Sequence, residues 1–182
     1  MLSSSVERTD LIRALQTYET RFTEEHTFIP SFLDLLTHTD CYQRTHLPGH
    51  ITGSAWIVNQ SQTKSLLVHH GKLNRWMQPG GHADGDENIF SVALKEAEEE
   101  TGLTSFKKTE SIFDIDIHII PARKDFPEHL HFDVRFMFTA NEKDEITVSD
   151  ESHDVKWIAF DEMEKYTSER SVLRMKEKIL CG

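Results

Sequence analysis

The chain has 182 residues, 37% of them hydrophobic and 28% charged, which suits one soluble globular domain with a real core. Its net charge of -11 argues against a nucleic-acid backbone or an anionic membrane as the main partner. Cys41 and Cys181 are the only cysteines, which excludes a disulfide framework and points to a reducing compartment.

The first residues, MLSSSVERTD, lack an apolar signal region, and no apolar run is long enough to span a bilayer. A cytoplasmic protein is expected. No internal repeat or low-complexity tract occurs. Arg8 to Glu24 reads as a helix, with Leu11, Leu15, Tyr18 and Phe22 on one face. Pro30 opens a second, short helix carrying Phe32, Leu33, Leu35 and Leu36. Both are expected to pack on the core or on a second copy of the chain. A polar connection, Thr37 to Gly49, ends in Pro48-Gly49. Residues 1–48 are therefore read as a helical extension and 49–182 as the main domain. His50 to Val58 and Ser65 to His70 read as strands around a turn at Asn59 to Thr63. Gly71 to Arg75 is a loop, and Trp76-Met77 leads into Pro79-Gly80-Gly81, whose glycines permit close backbone approach to a ligand.

Gly81 to Leu103 reads GHADGDENIFSVALKEAEEETGL. Asp84 with Glu87 fits a capping box, Ile89, Phe90, Ala93, Leu94 and Ala97 form an apolar side, and Gly102 fits a helix C-terminus. At about 100° per residue, Glu96, Glu99 and Glu100 share one arc while Glu98 points away. Like charges at this spacing are mildly destabilising, and a hard divalent cation would reverse that. A solvated acidic face is the plainer reading of the triplet alone.

Two alternations follow. Phe113, Ile115, Ile117 and Ile119 alternate with Asp114, Asp116 and His118; Leu130, Phe132, Val134, Phe136 and Phe138 alternate with His129, His131, Asp133 and Arg135. Period two marks strands with one core face and one polar face, solvated by default. His129 and His131 share a strand face, but two histidines are too short a match to carry a zinc site. Asn141 to Asp154 is an acidic loop, Val155 to Phe160 a short strand and Asp161 to Tyr166 a helical turn. Ser168 is expected to cap a last helix with Val172, Leu173, Met175, Ile179 and Leu180.

The spacing Gly81-x5-Glu87-x7-Lys95-Glu96-Ala97-x-Glu99-Glu100-x-Gly102-Leu103 resembles the Nudix box, Gly-x5-Glu-x7-Arg-Glu-apolar-x-Glu-Glu-x-Gly-apolar, with Lys95 in place of the arginine. The resemblance extends to Trp76–Gly81 before the box and to Glu151 and Trp157 after it. It implies a Nudix-type α/β/α sandwich with a mixed sheet, and hydrolysis of a phosphoanhydride in a nucleoside diphosphate linked to another moiety. It further implies Mg²⁺ or Mn²⁺ held by Gly81, Glu96, Glu99, Glu100 and Glu151, with Glu96 or Glu151 as general base and Lys95 orienting the box. His131, Asp133 and Arg135 become candidates for substrate contact. The implied partner is a small-molecule diphosphate, and homodimers are common in the family. Two alternatives remain: an isopentenyl-diphosphate-isomerase-like enzyme, which needs a cysteine beside the metal, and a non-catalytic nucleotide-sensing module, whose box is typically degraded. The substrate itself is not legible.

Overall fold

β1 (Gly49–Asn59) is buried along its entire length, because it is an interior strand of a mixed sheet covered on both faces. The structure, a computed structural model, describes residues 6–181 apart from the Val6 side chain. The remaining strands are β2 (Lys64–His70), β3 (Arg75–Met77), β4 (Gly80–His82), β5 (Lys107–Ile120), β6 (His129–Ala140) and β7 (Ser152–Ala159). The order is β3-β2-β1-β6-β5, with β7 on β2 and β4 on β1. β6 runs parallel to β1 from Gly49↔Leu130 to Asn59↔Ala140, and the other pairings are antiparallel.

Side-chain alternation along β1 feeds two cores. Ile51, Ala55 and Ile57 join the larger one with residues of α1 (Val6–Gln16), α2 (Thr23–Leu35) and α3 (Ile89–Thr101). Trp56 and Val58 face the other way, onto Val172 and Met175 of α4 (Arg170–Leu180). The result is the expected α/β/α sandwich. Among the described residues no helix is long and apolar enough to cross a membrane.

The helix expected over Arg8–Glu24 is in fact two, broken between Gln16 and Thr23. A buried polar cluster breaks it. Lys178 Nζ donates to the Tyr18 hydroxyl (2.8 Å), Glu25 Oε1 (2.6 Å) and the Phe113 carbonyl (2.8 Å). Glu25 has no exposure and also accepts from Ile115 N at 3.2 Å. This carboxylate ties α2 to β5 and α4, and Leu15 of α1 and Phe32 of α2 are fully buried in the larger core. Pro30 does not open α2; it sits inside the helix on its exposed side, where the carbonyl left without a partner can reach water.

Two caps also differ from expectation. The N-cap of α3 is Asn88, whose side chain accepts from Ser91 N at 2.9 Å. Asp84 and Glu87 are drawn away by Arg44 and Arg8 respectively. The N-cap of α4 is Glu169, with no side-chain cap bond; Thr167 rather than Ser168 supplies a hydroxyl there, accepting from Glu169 N at 3.2 Å. The far end of α3 does follow the sequence: Gly102 adopts φ 74 and donates to the Glu98 carbonyl, a left-handed conformation that favours glycine.

Candidate active site

α3 lies against β1 and β4 and presents its acidic arc to a cleft of about 830 Å³. Glu100 Oε1 accepts from Gly80 N at 2.9 Å, so the box helix is tied to β4. The Glu96 carboxylate sits against Gly81, and a Cβ at that position would overlap it; the glycine is what lets the strand approach the carboxylate. Glu99 stands further out, its side chain 59% exposed and its carboxylate 3.7 Å from Lys95 Nζ. Glu151 reaches the same cleft from the segment just before β7, and its carbonyl accepts from Gly71 N at 2.9 Å. Glu98 is not part of the lining.

These carboxylates feel one another. Burial, then the charges of Glu96, Glu151 and Glu99, push Glu100 up to about 7, although the Gly80 amide opposes the shift. Burial and then Glu99 raise Glu96 as well, with Lys95 opposing and Glu151 adding to the rise. Carboxylates gathered at a cleft wall, two of them raised by burial and by their neighbours' charge, form a donor set that fits a hard divalent cation.

The polar face of β6 is not solvated. It is the middle of three rows set by strand register: His50, His131 and His118; Thr52, Asp133 and Asp116; Ser54, Arg135 and Asp114. Arg135, 1% exposed, does not line the cleft. It donates to Asp133 (2.7 Å), Asp114 (3.1 Å) and Asp116 (3.3 Å). Arg174 from α4 adds bonds to both oxygens of Asp114. Burial would raise Asp114 and Asp116, but the two arginines overcome it and hold both below the usual carboxylate range. A β6 arginine is buried here because α4 brings no apolar cover to this row; it brings a second arginine and shared acids. Asp133 is the transition, accepting from Ser54 (2.7 Å), Thr52 (3.0 Å) and Gln78 Nε2 (3.3 Å) at the cleft floor. His131 lies on the cleft wall with His82, His118 and His129.

A family model described as NUDIX domain matches residues 49–176. The chain belongs to the Nudix hydrolase family. It is similar in structure to an Ap4A hydrolase from C. elegans, at 18% identity and TM-score 0.59 over 72% of this chain and 95% of that one. It is also similar to the E. coli dihydroneopterin triphosphate pyrophosphohydrolase, at 13% identity and TM-score 0.57 over 72% and 96% of the two chains. A Nudix-family hydrolase from Clostridium perfringens aligns at 21% identity and TM-score 0.53 over 72% and 97%. None of the curated proteins compared matches the chain.

The Nudix cleft also holds residues that the motif does not point to. Arg44 comes from the connection before β1 and donates to Asp84 Oδ1 at 2.6 Å. Lys72 and Arg123 stand on the lining with the apolar side chains of Leu73, Met77, Ile120 and Phe126. No local pattern singles out a lone cation in a loop; Arg44 pairs with a residue 40 positions away.

Proposed function

We propose that this Nudix protein is a metal-dependent diphosphohydrolase that cleaves the phosphoanhydride of a nucleoside diphosphate linked to another moiety. What carries the reading is that three box glutamates, Glu96, Glu99 and Glu100, and a distant glutamate, Glu151, line one cleft together with the cations Arg44, Lys72, Lys95 and Arg123. Mg²⁺ or Mn²⁺ would be held by Glu96, Glu99, Glu100, Glu151 and Gly81. When bound, it neutralises diphosphate charge and acidifies a water.

The chain's own groups do the rest. Gly80 N–H fixes the Glu100 carboxylate against the strand. Arg44, Lys72 and Arg123 bind phosphate oxygens and orient the anhydride, since phosphoryl transfer depends chiefly on positioning and charge. Glu96 or Glu151 accepts the proton of the attacking water; Glu151 is exposed, while Glu96 is held against Gly81. Leu73, Met77 and Phe126 offer an apolar surface to the base or linked group. Asp133 and His131 contact substrate from the cleft floor and wall, and Arg135 acts behind them as a positioning residue. Lys95 orients the box through Glu99.

The isomerase alternative loses support. Cys41 is fully buried and outside the cleft lining, and burial pushes its thiol up to about 11. A sensing module has no need for every box glutamate. The deciding experiment is product release over a panel of nucleoside diphosphate derivatives and dinucleoside polyphosphates, with Mg²⁺ and then Mn²⁺. Nucleotide release that stops with chelator is expected. Tight binding of a panel member without turnover in either metal would overturn the hydrolase reading in favour of a sensor.

A further inference from the structure

We propose that His50, His82 and His131 form a tris-histidine site for a late first-row divalent cation, Zn²⁺ foremost, with its fourth position open to the cleft. This site is separate from the box glutamates and does not rest on the hydrolase reading. The three histidines come from three strands that the sheet alone brings together. His50 and His131 are register partners on β1 and β6. His82 ends β4 and pairs beside them, opposite Thr52.

One ring nitrogen from each histidine lies within 4.8 Å of the other two. The ring centroids form a near-equilateral triangle, with sides of 4.9 Å, 5.0 Å and 5.2 Å. Nitrogens around a tetrahedral zinc at about 2.0–2.1 Å stand about 3.3 Å apart, so small side-chain rotations close the set.

A second observation points the same way. His50, 1% exposed, has a buried Nε2 with no hydrogen-bond partner among the described residues, and so does His131. Buried ring nitrogens are normally satisfied. The other nitrogen of His50 is engaged: Nδ1 donates to the His46 carbonyl at 3.4 Å. A carbonyl can only accept, so Nδ1 carries the proton and Nε2 is a bare lone pair. A backbone carbonyl on the far nitrogen is the arrangement that orients a metal-binding imidazole. Neutral imidazoles select Zn²⁺, Co²⁺, Ni²⁺ or Fe²⁺ over Mg²⁺. Three protein ligands leave a position for water or a substrate oxygen, and His82 and His131 lie on the cleft lining. A cation here would therefore anchor an anionic group of whatever occupies the cleft.

The test is titration of metal-stripped full-length protein with Co²⁺ in excess Mg²⁺, read by visible absorption, followed by displacement with Zn²⁺. One equivalent of Co²⁺ with intense four- or five-coordinate bands is expected, lost on adding Zn²⁺. His82→Ala and His131→Ala should each weaken Zn²⁺ binding by at least about a hundredfold, while Glu100→Gln retains the bands. His82 is only half-buried, so its variant keeps the test sound if the change at His131 prevents folding; circular dichroism checks each variant. Absence of the bands, or bands that survive both histidine variants and disappear in Glu100→Gln, would overturn the proposal.

Discussion

Glu100→Gln is the most informative single change, because its effect on stability should reverse with pH and with metal. In the metal-free protein Glu100 is raised from 4.5 to about 7 by burial and neighbouring carboxylates. At about 1.36 kcal/mol per pH unit, ionising it in the folded state is unfavourable by about 3 kcal/mol, as an upper figure. The raised value means that the folded chain holds this proton more tightly than the unfolded chain does. The associated stability is complete below pH 4.5 and is lost as pH rises through about 7. Glutamine keeps the oxygen that accepts from Gly80 N and never ionises. In chelator at pH 8 the variant should therefore melt higher than the parent by about 6–12 °C for a domain of this size. The gain should shrink as pH falls and vanish near pH 4.5. With Mg²⁺ or Mn²⁺ in excess the order should invert, since the parent gains binding energy that the variant lacks. Thermal melts across pH, with and without chelator, read all of this. A variant no more stable than the parent at pH 8 in chelator, or a gain equally large at pH 4.5, would refute the repulsive-cluster argument.

Glu151→Gln should lower turnover by about a hundredfold or more and weaken Mn²⁺ binding, whereas Glu145→Gln changes neither; kinetics and Mn²⁺ titration of the pair check it, and an undiminished Glu151→Gln enzyme leaves Glu96 as the base. Lys95→Arg should retain or raise activity, while Lys95→Ala, which loses an exposed pair with Glu99, should lower it by about fivefold; equal activity in Lys95→Ala would make this lysine a solvated helix residue. Arg174→Met should cost about 3–5 kcal/mol in denaturant unfolding, because it leaves Asp114 buried with one arginine fewer, and a loss under 1 kcal/mol would mean that Arg135 and Lys178 neutralise the cluster unaided. Deleting residues before Thr37 should prevent cooperative unfolding altogether, since it removes Glu25, Leu15 and Phe32 from the interior; an unchanged melt would reduce α1 and α2 to a tail.

Periodicity and punctuation determined much of this protein. The alternations at Phe113–Ile119 and Leu130–Phe138 marked two strands, and the left-handed glycine at 102 marked where the box helix stops. The box spacing announced the acidic arc of Glu96, Glu99 and Glu100, because which side chains share one helix face follows from residue number alone. Contacts made across the fold were not legible. The helix read through Thr17–Phe22 fails because Tyr18 and Glu25 are claimed by Lys178, some 150 residues on. The Asp84–Glu87 cap fails because Arg44 and Arg8 compete for those acids. Arg135 read as a cleft residue because alternation assigns it a face but not a neighbour, and α4 covers that part of the face with Arg174. The histidines make the same point. The sequence offers His129 and His131 as a pair too small to mean a metal site, while parallel pairing of β1 with β6 and the short β4 strand set His50 and His82 beside His131. Strand register is a tertiary decision, so a site assembled from three strands exists only once the sheet has formed.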